Sequence, residues 1–324
     1  MINCQYCFIV YLVFLIPFLV SAQAIDNTES FRTINSEKYF RIYYENDFFT
    51  GKDRDYTQGI YIEKVHPDIR HLFLTKILLH PQKSLLKYGL AIEHNAYTPN
   101  YIDRTGIQYG DRPYAGTLLL KTFITSSNRV RKERISTVLS TGVIGPWAGG
   151  EQMQQTIHHW INYTKPRGWH NQLSNDLVLN YQINYEKELL SAGRWLYVSS
   201  YSTLRAGTLS DKLTTGFSLL AGHFYAPYEK APFVFHGKWQ WWLYCQPLLS
   251  LVGYDATLEG PLFNHTSPYT IPVTDIRRLT FQYKYGMVLS RKDFYIEYFQ
   301  TELTPEFTSY VFHRTGGIQV GFGF

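Results

Sequence analysis

The sequence contains very little cysteine. Its 324 residues include only three, at positions 4, 7 and 245. Cys4 and Cys7 fall in an apolar N-terminal stretch that we interpret as a signal peptide, so the mature chain would keep Cys245 alone. A single cysteine cannot form an intramolecular disulfide. No cysteine stands directly after the expected cleavage site, which argues against a bacterial lipoprotein.

Long hydrophobic runs are also absent after residue 24. The run from Phe8 to Val20 has the length of a signal-peptide core and is too short to span a bilayer comfortably. The small residues Ser21–Ala24 follow it and are typical of a cleavage site. We therefore interpret residues 1–24 as a secretory signal peptide that is cut after Ala24. The stretch has no Lys or Arg before its apolar core, and an uncleaved anchor is the alternative.

The charge is modest, and the basic residues do not cluster. The net formal charge is +5, which argues against a nucleic-acid-binding protein. The sequence is instead rich in aromatic residues, which make up 17% of the chain and include 27 Tyr and 21 Phe. An exported, Tyr-rich chain without disulfides or helical spans is typical of a β-barrel with aromatic girdles at both membrane interfaces.

Period-two alternation supports a barrel, and it is clearest at the C-terminus. One face of the last strand is apolar and suits lipid, while the other is small or polar and suits a tightly packed lumen. The apolar face holds Ile318, Val320, Phe322 and Phe324, opposite Gly317, Gln319, Gly321 and Gly323. Ending on Phe also resembles the terminal signature of bacterial outer-membrane barrels.

The pattern predicts twelve strands, an even number as in single-chain bacterial barrels. They are 38–49, 56–65, 86–97, 113–125, 132–145, 175–187, 193–205, 213–225, 236–255, 276–290, 292–303 and 309–324. We expect an all-β fold, a twelve-stranded antiparallel transmembrane β-barrel, closed because an open edge in lipid would leave backbone groups unpaired. Residues 25–324 would form this one domain, with turns such as Lys187–Ala192 and Arg291–Lys292 on the periplasmic side. The longer connections 98–112, 146–174 and 256–275 would be outer loops.

One stretch, Gly142 to Trp160, combines a strand end with a short helix. Gly145–Pro146 ends the strand, since proline cannot donate to a sheet ladder. No breaker follows Glu151, so a helix is predicted there, in an outer loop. Gln154 and His158 stand four residues apart and share one face of that helix. They indicate either a polar site or a histidine on the surface of an amphipathic helix.

Three further stretches are unusually polar for a barrel wall. Asp47 would point into the lumen near one barrel end, as a functional carboxylate or a solvated strand-end charge. Thr57 would lie beside it across a hairpin, and that neighbourhood favours function over a purely structural role. Asp111 and Arg112 precede Pro113 and are better explained as a structural pair than as catalytic groups.

The residue types limit the chemistry. No Gly-x-Ser-x-Gly motif is present and Cys245 falls in a predicted strand, so a serine or cysteine nucleophile is not indicated. A histidine that activates water remains, since histidine suits general-base chemistry near neutral pH. A carboxylate-held cation could stabilise the developing oxyanion. Oxygen donors suit calcium better than zinc, and the mature chain has neither an HExxH nor a CxxC motif.

Together these motifs resemble a known family, the lipid A 3'-O-deacylases of Gram-negative outer membranes. The matching residues are Asn46–Asp47, Tyr56–Thr57 with Gly59, and Gly110–Arg112. The most specific match is the long run Gly142–Gly150 that continues to Gln154 and His158, followed by Trp169 and Gln172. Between about residues 190 and 300 the resemblance rests on the strand pattern alone.

The resemblance implies a calcium-dependent ester hydrolase, acting on lipid A between the barrel wall and the membrane. His158 would be the general base, Asp47 a calcium ligand, and Asn46 and Thr57 orienting groups. Gln154 would position the histidine or line the acyl site. Relatives use basic residues after the third strand to bind the lipid A phosphates, and Arg104 could do this here or could simply belong to a surface loop.

One expected feature is missing. Relatives carry a second acidic calcium ligand shortly after the histidine, whereas this sequence has Asn162, Tyr163 and Thr164 there. Two alternatives to the deacylase remain from the sequence. They are an outer-membrane phospholipase or other lipid esterase, and a catalytically silent channel or structural barrel. We expect a monomer in contact with outer-membrane lipids.

Overall fold

The structure is a computed structural model that describes residues 25–47, 56–228, 237–309 and 313–324, without the side chains of Tyr56, Thr57 and His313. The predicted signal peptide, residues 1–24, lies outside the described residues. In the part of the chain that is described, no helix has both the length and the apolar character needed to cross a bilayer.

Twelve described strands close into one antiparallel barrel, in which each strand pairs with its neighbours in sequence and β1 pairs with β12. The strands are β1 Tyr39–Asn46, β2 Tyr56–Val65, β3 Leu85–Tyr97, β4 Ala115–Asn128, β5 Glu133–Ile144, β6 Asp176–Ala192, β7 Leu196–Gly207, β8 Ser210–His223, β9 Gln240–Asp255, β10 Leu279–Arg291, β11 Phe294–Leu303 and β12 His313–Gly323. Two α-helices are described, α1 Gly150–Trp160 and α2 Ala256–Glu259. The predicted fold class and strand order are therefore confirmed.

Strand ends differ from the prediction in one informative place. The turn expected at Lys187–Ala192 is wrong, because β6 continues to Ala192 and the chain turns after it. The pairing of β6 with β7 shifts between Glu188 and Leu190. A bulge of this kind breaks the period-two pattern locally, which explains why the sequence pattern stopped too early.

The predicted alternation of lipid-facing and lumen-facing residues is present. In β12, Phe322 is exposed on the outer surface, whereas Gln319 is fully buried in the lumen. Trp242, which breaks the apolar alternation of β9, is also buried, while Trp241 beside it is exposed. The alternation is therefore intact in space, and the lumen accommodates a large aromatic side chain.

The barrel has two distinct rims. The inner rim is the end where β1 begins and β12 ends. The outer rim is the opposite end, and it carries the long connections 98–114, 145–175 and 256–278. The three predicted outer loops therefore all lie on one side of the barrel. Since long loops are typical of the extracellular end of outer-membrane barrels, this rim is the extracellular one.

The segment before β1 lies inside the barrel. Residues 25–34 pack against lumen side chains, and Phe31 and Ile34 belong to the buried core. The Arg32 guanidinium donates to Glu297 on β11 at 3.0 Å and also pairs with Glu29 within the segment. The backbone N–H of Ser30 donates to Glu186 on β6 at 2.8 Å. The lumen is therefore filled by wall side chains and by an N-terminal plug.

Small residues on β12 make room for this packing. A Cβ on Gly321 would lie 2.3 Å from the Cδ1 atom of Ile34 in the plug, and one on Gly317 would lie 2.4 Å from the Phe299 ring. Separations of this kind cannot be accommodated without movement of the neighbours. The glycine face in the C-terminal sequence is thus explained by close packing in the lumen.

We expect Arg32→Ala to destabilise the barrel. Glu297 would lose its guanidinium partner in the lumen, and an uncompensated buried charge costs about 3–5 kcal/mol. Arg131→Ala is the matched control, because the Arg131–Glu133 pair is exposed on the arginine side and such pairs contribute at most about 1 kcal/mol. The unfolding midpoint, read from heat-modifiable gel migration, should fall clearly for Arg32→Ala only. Equal midpoints for both variants would contradict the role given to the ion pair.

Candidate active site

The motifs identified in the sequence meet at the outer rim. Antiparallel pairing brings the end of β1 at Asn46, the end of β3 at Tyr97 and the start of β4 at Ala115 to this rim, and β5 also ends there at Ile144. Helix α1 follows β5 directly. Residues far apart in the sequence therefore share one edge of the barrel.

The turn into α1 depends on two glycines. Gly145 has φ +92°, and a Cβ there would lie 2.6 Å from the carbonyl oxygen of Ser174. Its N–H donates to the carbonyl of Gly116 at 2.9 Å. Gly149 has φ +72° and directly precedes the helix. Side chains are disfavoured in this backbone region, so the glycines allow the reversal that folds α1 back onto the wall.

Helix α1 packs on the lipid-facing side of the wall. A Cβ on Gly116 of β4 would lie 3.3 Å from the backbone nitrogen of Gly150. Two residues further along β4, Leu118 is exposed on the same face of the strand. On β3, His94 contacts the carbonyl of Ala148 through Nε2 at 3.1 Å. The helix therefore lies between the barrel wall and the position of the membrane.

The face of α1 that meets the wall carries the predicted polar pair. Its buried residues are Gly150, Gln154 and His158, four residues apart in each step. Gln154 is 1% exposed and His158 is 6% exposed. The interpretation of His158 as a surface histidine is wrong, because its side chain lies on the buried face of the helix.

A backbone carbonyl fixes the imidazole of His158. Nδ1 lies 2.6 Å from the carbonyl oxygen of Thr164. Since a carbonyl oxygen only accepts hydrogen bonds, Nδ1 carries a proton, and in the neutral imidazole Nε2 then keeps its lone pair. The Tyr163 ring stands edge-on to the imidazole with centroids 5.1 Å apart. Both contacts hold the ring in one orientation.

Gln154 is held by an aromatic cluster. The Trp169 Nε1–H donates to the Gln154 side-chain oxygen at 2.5 Å. Trp169 is itself buried against the Tyr114 ring, with centroids 5.1 Å apart. Burial raises the pKa of the Tyr114 phenol, so this hydroxyl stays protonated near neutral pH. The cluster therefore holds the Gln154 amide in a buried position.

Asn46 and Asp47 lie on the same rim. Asn46 ends β1, and its amide donates to the Tyr44 hydroxyl at 3.0 Å. Asp47 follows and is 1% exposed. Glu45, two residues earlier on β1, is also buried. Helix α1 packs on β3 and β4, two and three strands from β1, which corresponds to about 10–15 Å across the sheet.

For Thr57 and Arg104, the structure shows the element that carries each residue but no described contact with His158. Thr57 belongs to β2 at this rim, but its side chain is outside the described residues. Arg104 is exposed in the loop between β3 and β4, with its guanidinium carbon 3.9 Å from the centroid of the Tyr101 ring. The same loop is joined to the chain after α1, because the Arg167 N–H donates to the carbonyl of Ile102 at 2.8 Å. Arg104 therefore lies on a loop that borders the helix.

Asp111 and Arg112 have structural roles, and each side chain binds different partners. Asp111 accepts hydrogen bonds from the backbone and side chain of Asn100, both at 2.9 Å. Arg112 is buried, forms a salt bridge with Glu306, and donates to the Thr257 hydroxyl at 2.9 Å. Asp111 therefore stabilises the β3–β4 loop internally, and Arg112 joins that loop to α2.

Sequence reasoning missed two groups in this site. The Thr164 carbonyl orients the imidazole. The sequence pattern of side chains cannot predict a contact with a backbone oxygen. Trp169 was noted only as part of the resemblance, and its bond to Gln154 depends on the fold. No group of three or more His, Cys, Asp or Glu side chains suited to a metal occurs among the residues that the structure describes.

Comparison with known proteins identifies the family and agrees with the fold. The family described as "Outer membrane protein LpxR" matches residues 7–324. The solved structure of LpxR from Salmonella typhimurium matches with a TM-score of 0.69 and 18% identity, covering 88% of this chain and 100% of that chain. The β domain of the Bordetella autotransporter BrkA is more distant, with a TM-score of 0.47, 7% identity, and 90% and 100% coverage. No curated protein sequence matches.

We expect Gly150→Ala to inactivate the site without unfolding the barrel. A Cβ at this position would lie 2.7 Å from the Trp169 ring and would push α1 away from the wall. A displacement of about 1 Å can lower a rate about 100-fold. Gly106→Ala is the matched control, since its Cβ would meet no atom within 4 Å. The measurement is ester hydrolysis by both variants, with heat-modifiable migration to confirm folding. Full activity of Gly150→Ala would show that the helix position is not required.

Proposed function

Since the chain belongs to the LpxR family of outer membrane proteins, we propose that it is a lipid A deacylase that hydrolyses the 3' ester-linked acyl group. Family membership supports the assignment to outer-membrane lipid A deacylases. The observation that carries the proposed hydrolysis by activated water is the hydrogen bond from His158 Nδ1 to the Thr164 carbonyl. It leaves Nε2 as a base, as water activation requires.

In the proposed reaction, His158 Nε2 takes a proton from a water molecule while the water oxygen attacks the acyl carbon. The bond between the acyl carbon and the sugar oxygen then breaks. The imidazolium returns its proton to that oxygen, which leaves as a hydroxyl group. General-base help of this kind contributes about 10²–10⁴ to a rate.

The position of α1 supports a substrate that stays in the membrane. The helix lies on the lipid-facing side of the wall, and its end carries Trp160, which is 77% exposed. Trp147, next to the turn, is also exposed. Exposed tryptophans are typical of the membrane interface. A lipid could therefore reach His158 sideways, with its acyl chains in the outer leaflet.

The remaining predicted residues have roles that suit this substrate. Asn46 and Thr57 would orient groups in the site, and Gln154, held by Trp169, would line it beside the base. Arg104 would bind a lipid A phosphate from the neighbouring loop. Stacking on Tyr101 keeps its guanidinium at the surface, where an anionic headgroup can reach it.

Calcium is the cofactor that suits the donors present. Asp47 supplies a buried carboxylate, and amide and carbonyl oxygens at the rim could complete an oxygen shell. When bound, calcium would polarise the ester carbonyl and stabilise the oxyanion. Asn162, Tyr163 and Thr164 occupy the region where the family resemblance implies a second acidic ligand, so the shell would have a low charge. Sites of low charge bind calcium weakly, at about 10⁻⁴–10⁻³ M.

The base assignment predicts different results for two neighbouring substitutions. His158→Ala should lower hydrolysis about 10²–10⁴-fold, whereas Thr164→Ala should stay close to wild type because it keeps the backbone carbonyl. Mass spectrometry of lipid A and phospholipids from expressing cells measures both. Unchanged lipid A with inserted wild-type protein would overturn the deacylase, and loss of phospholipid acyl chains instead would identify a phospholipase.

The calcium assignment predicts that EDTA abolishes hydrolysis by purified protein and that calcium restores it, with half-saturation at about 10⁻⁴–10⁻³ M. Asp47→Asn should shift this requirement to higher calcium, since it removes the negative charge from the shell. Magnesium is the control for a nonspecific effect of divalent cations. Full activity in EDTA would remove the metal role of Asp47.

A further inference from the structure

The connection between β2 and β3 does more than reverse the chain. It contains two 3-10 helices, Pro67–His71 and Phe73–Ile77, at the inner rim. Residues 66–80, which we name the strap, fold back over the outside of the barrel wall. Their contacts show which part of the wall they cover.

The inner side of the strap packs on strands β4 and β5. Leu78 is 2% exposed and forms a buried cluster with Ile124 and Leu139. Ile124 points away from the lumen, since Leu120 lies on the same face of β4 and is exposed to the outside. Leu139 points the same way, because it pairs with Thr122 on that face. The strap therefore occupies a position on the barrel that lipid would otherwise occupy.

Hydrogen bonds fix the end of the strap to the wall. The Leu79 N–H donates to the Tyr181 hydroxyl at 2.9 Å, and this hydroxyl donates to the Ile77 carbonyl at 3.1 Å. The Thr137 hydroxyl donates to the Leu79 carbonyl at 2.9 Å. Lipid supplies no partners for backbone groups, so these bonds and the turns of the 3-10 helices allow the backbone to lie at the membrane boundary.

The outer side of the strap is apolar as well. Phe73 is 72% exposed and Leu79 is 63% exposed, and Leu72 and Ile77 are also exposed. Four large apolar side chains on one short segment are costly to leave in water. A segment that is apolar on both sides fits between a protein wall and lipid acyl chains.

Cations accompany these apolar side chains. Arg70 and Lys76 are exposed on the strap, and Asp68 is its only acidic residue. Apolar side chains next to exposed cations are typical of segments that lie in the interface of an anionic membrane. At the inner rim, that interface is the headgroup layer of the periplasmic leaflet.

We propose that the strap is a phospholipid-binding site, which inserts Phe73 and Leu79 into the periplasmic leaflet and pairs Arg70 and Lys76 with anionic phospholipid headgroups. The occupant follows from the position at the inner rim and from charge complementarity. The site is separate from the outer-rim site and does not depend on the proposed hydrolysis.

The strap and α1 lie on the same side of the barrel. On β4, Gly116 contacts α1 and Ile124 contacts the strap. Eight residues of strand span about 27 Å, which a tilt of about 40° reduces to roughly 21 Å of membrane depth. The uncovered wall below α1 is therefore short, and a strap bound to headgroups would set how deep this side of the barrel sits.

The test of the headgroup contact is the double variant Arg70→Gln with Lys76→Gln. The control is Lys238→Gln with Lys292→Gln, which removes two exposed cations from other inner-rim turns. Unfolding midpoints are measured in vesicles of phosphatidylcholine with and without phosphatidylglycerol. We expect the strap variant to lose at least half of the rise that phosphatidylglycerol gives the wild type, and the control to keep most of it. An equal loss in both variants, or none in the strap variant, would overturn the headgroup contact.

Membrane insertion of the strap has an independent test. Among described residues Cys245 is the only cysteine and is buried, so Phe73→Cys can carry a fluorophore once Cys4 and Cys7 are replaced by Ser. Tyr109→Cys is the control, on an exposed outer loop. Phospholipids with brominated acyl chains should quench the label at 73 severalfold more than the label at 109. Equal quenching would show that the strap does not enter the bilayer.

Discussion

Closure of the sheet by pairing β1 with β12 is the constraint on which the rest of the structure depends. Lipid offers no hydrogen-bond partner to an open strand edge, and the pairing of Tyr39 with Gly323 through to Asn46 with Gly316 removes that edge. Closure also fixes what the two barrel ends carry. Every odd-numbered strand ends at the outer rim, so the connections that hold Asp47, Arg104 and α1 meet there. The plug is a second consequence. A lumen too narrow for a general pore is filled by residues 25–34 and by the wall, through buried pairs such as Arg32 with Glu297.

The candidate site uses the outside of this wall rather than its lumen. Gly116 leaves a gap in the row of apolar side chains on β4, and Gly150 of α1 fits against it. This close approach of the two backbones brings His158 and Gln154 onto a part of the wall whose surroundings otherwise face lipid. The same device occurs at the other rim, where the strap covers Ile124 and Leu139. A barrel strand thus has short stretches of outer surface that bind protein segments, and a lipid-facing stretch between them.

Periodicity predicted much of this architecture because lipid and lumen impose opposite demands on alternate residues. The alternation of apolar Ile318 and Phe322 with polar Gln319 is typical of such a strand. The same period of two predicted all twelve strands. It failed at the bulge near Glu188, where the period itself changes. The pair Gln154 and His158 could be placed on one helix face, but which way that face points depends on Gly116, more than thirty residues earlier. The plug and the strap were not predicted, since neither has a simple period and both are defined by what they contact.

The Thr164 carbonyl limits how His158 could work as the proposed base. A carbonyl orients imidazole as well as a carboxylate does, but it carries no full charge to stabilise the imidazolium that forms when Nε2 takes a proton. An acidic residue at this position would do both and could also bind a cation. In this chain the orienting group is neutral, so the stabilisation of developing charge has to come from elsewhere in the proposed site. In the proposed site Asp47, the buried carboxylate on the same rim, would hold the calcium, so the metal would stabilise the charge that develops on the ester oxygen.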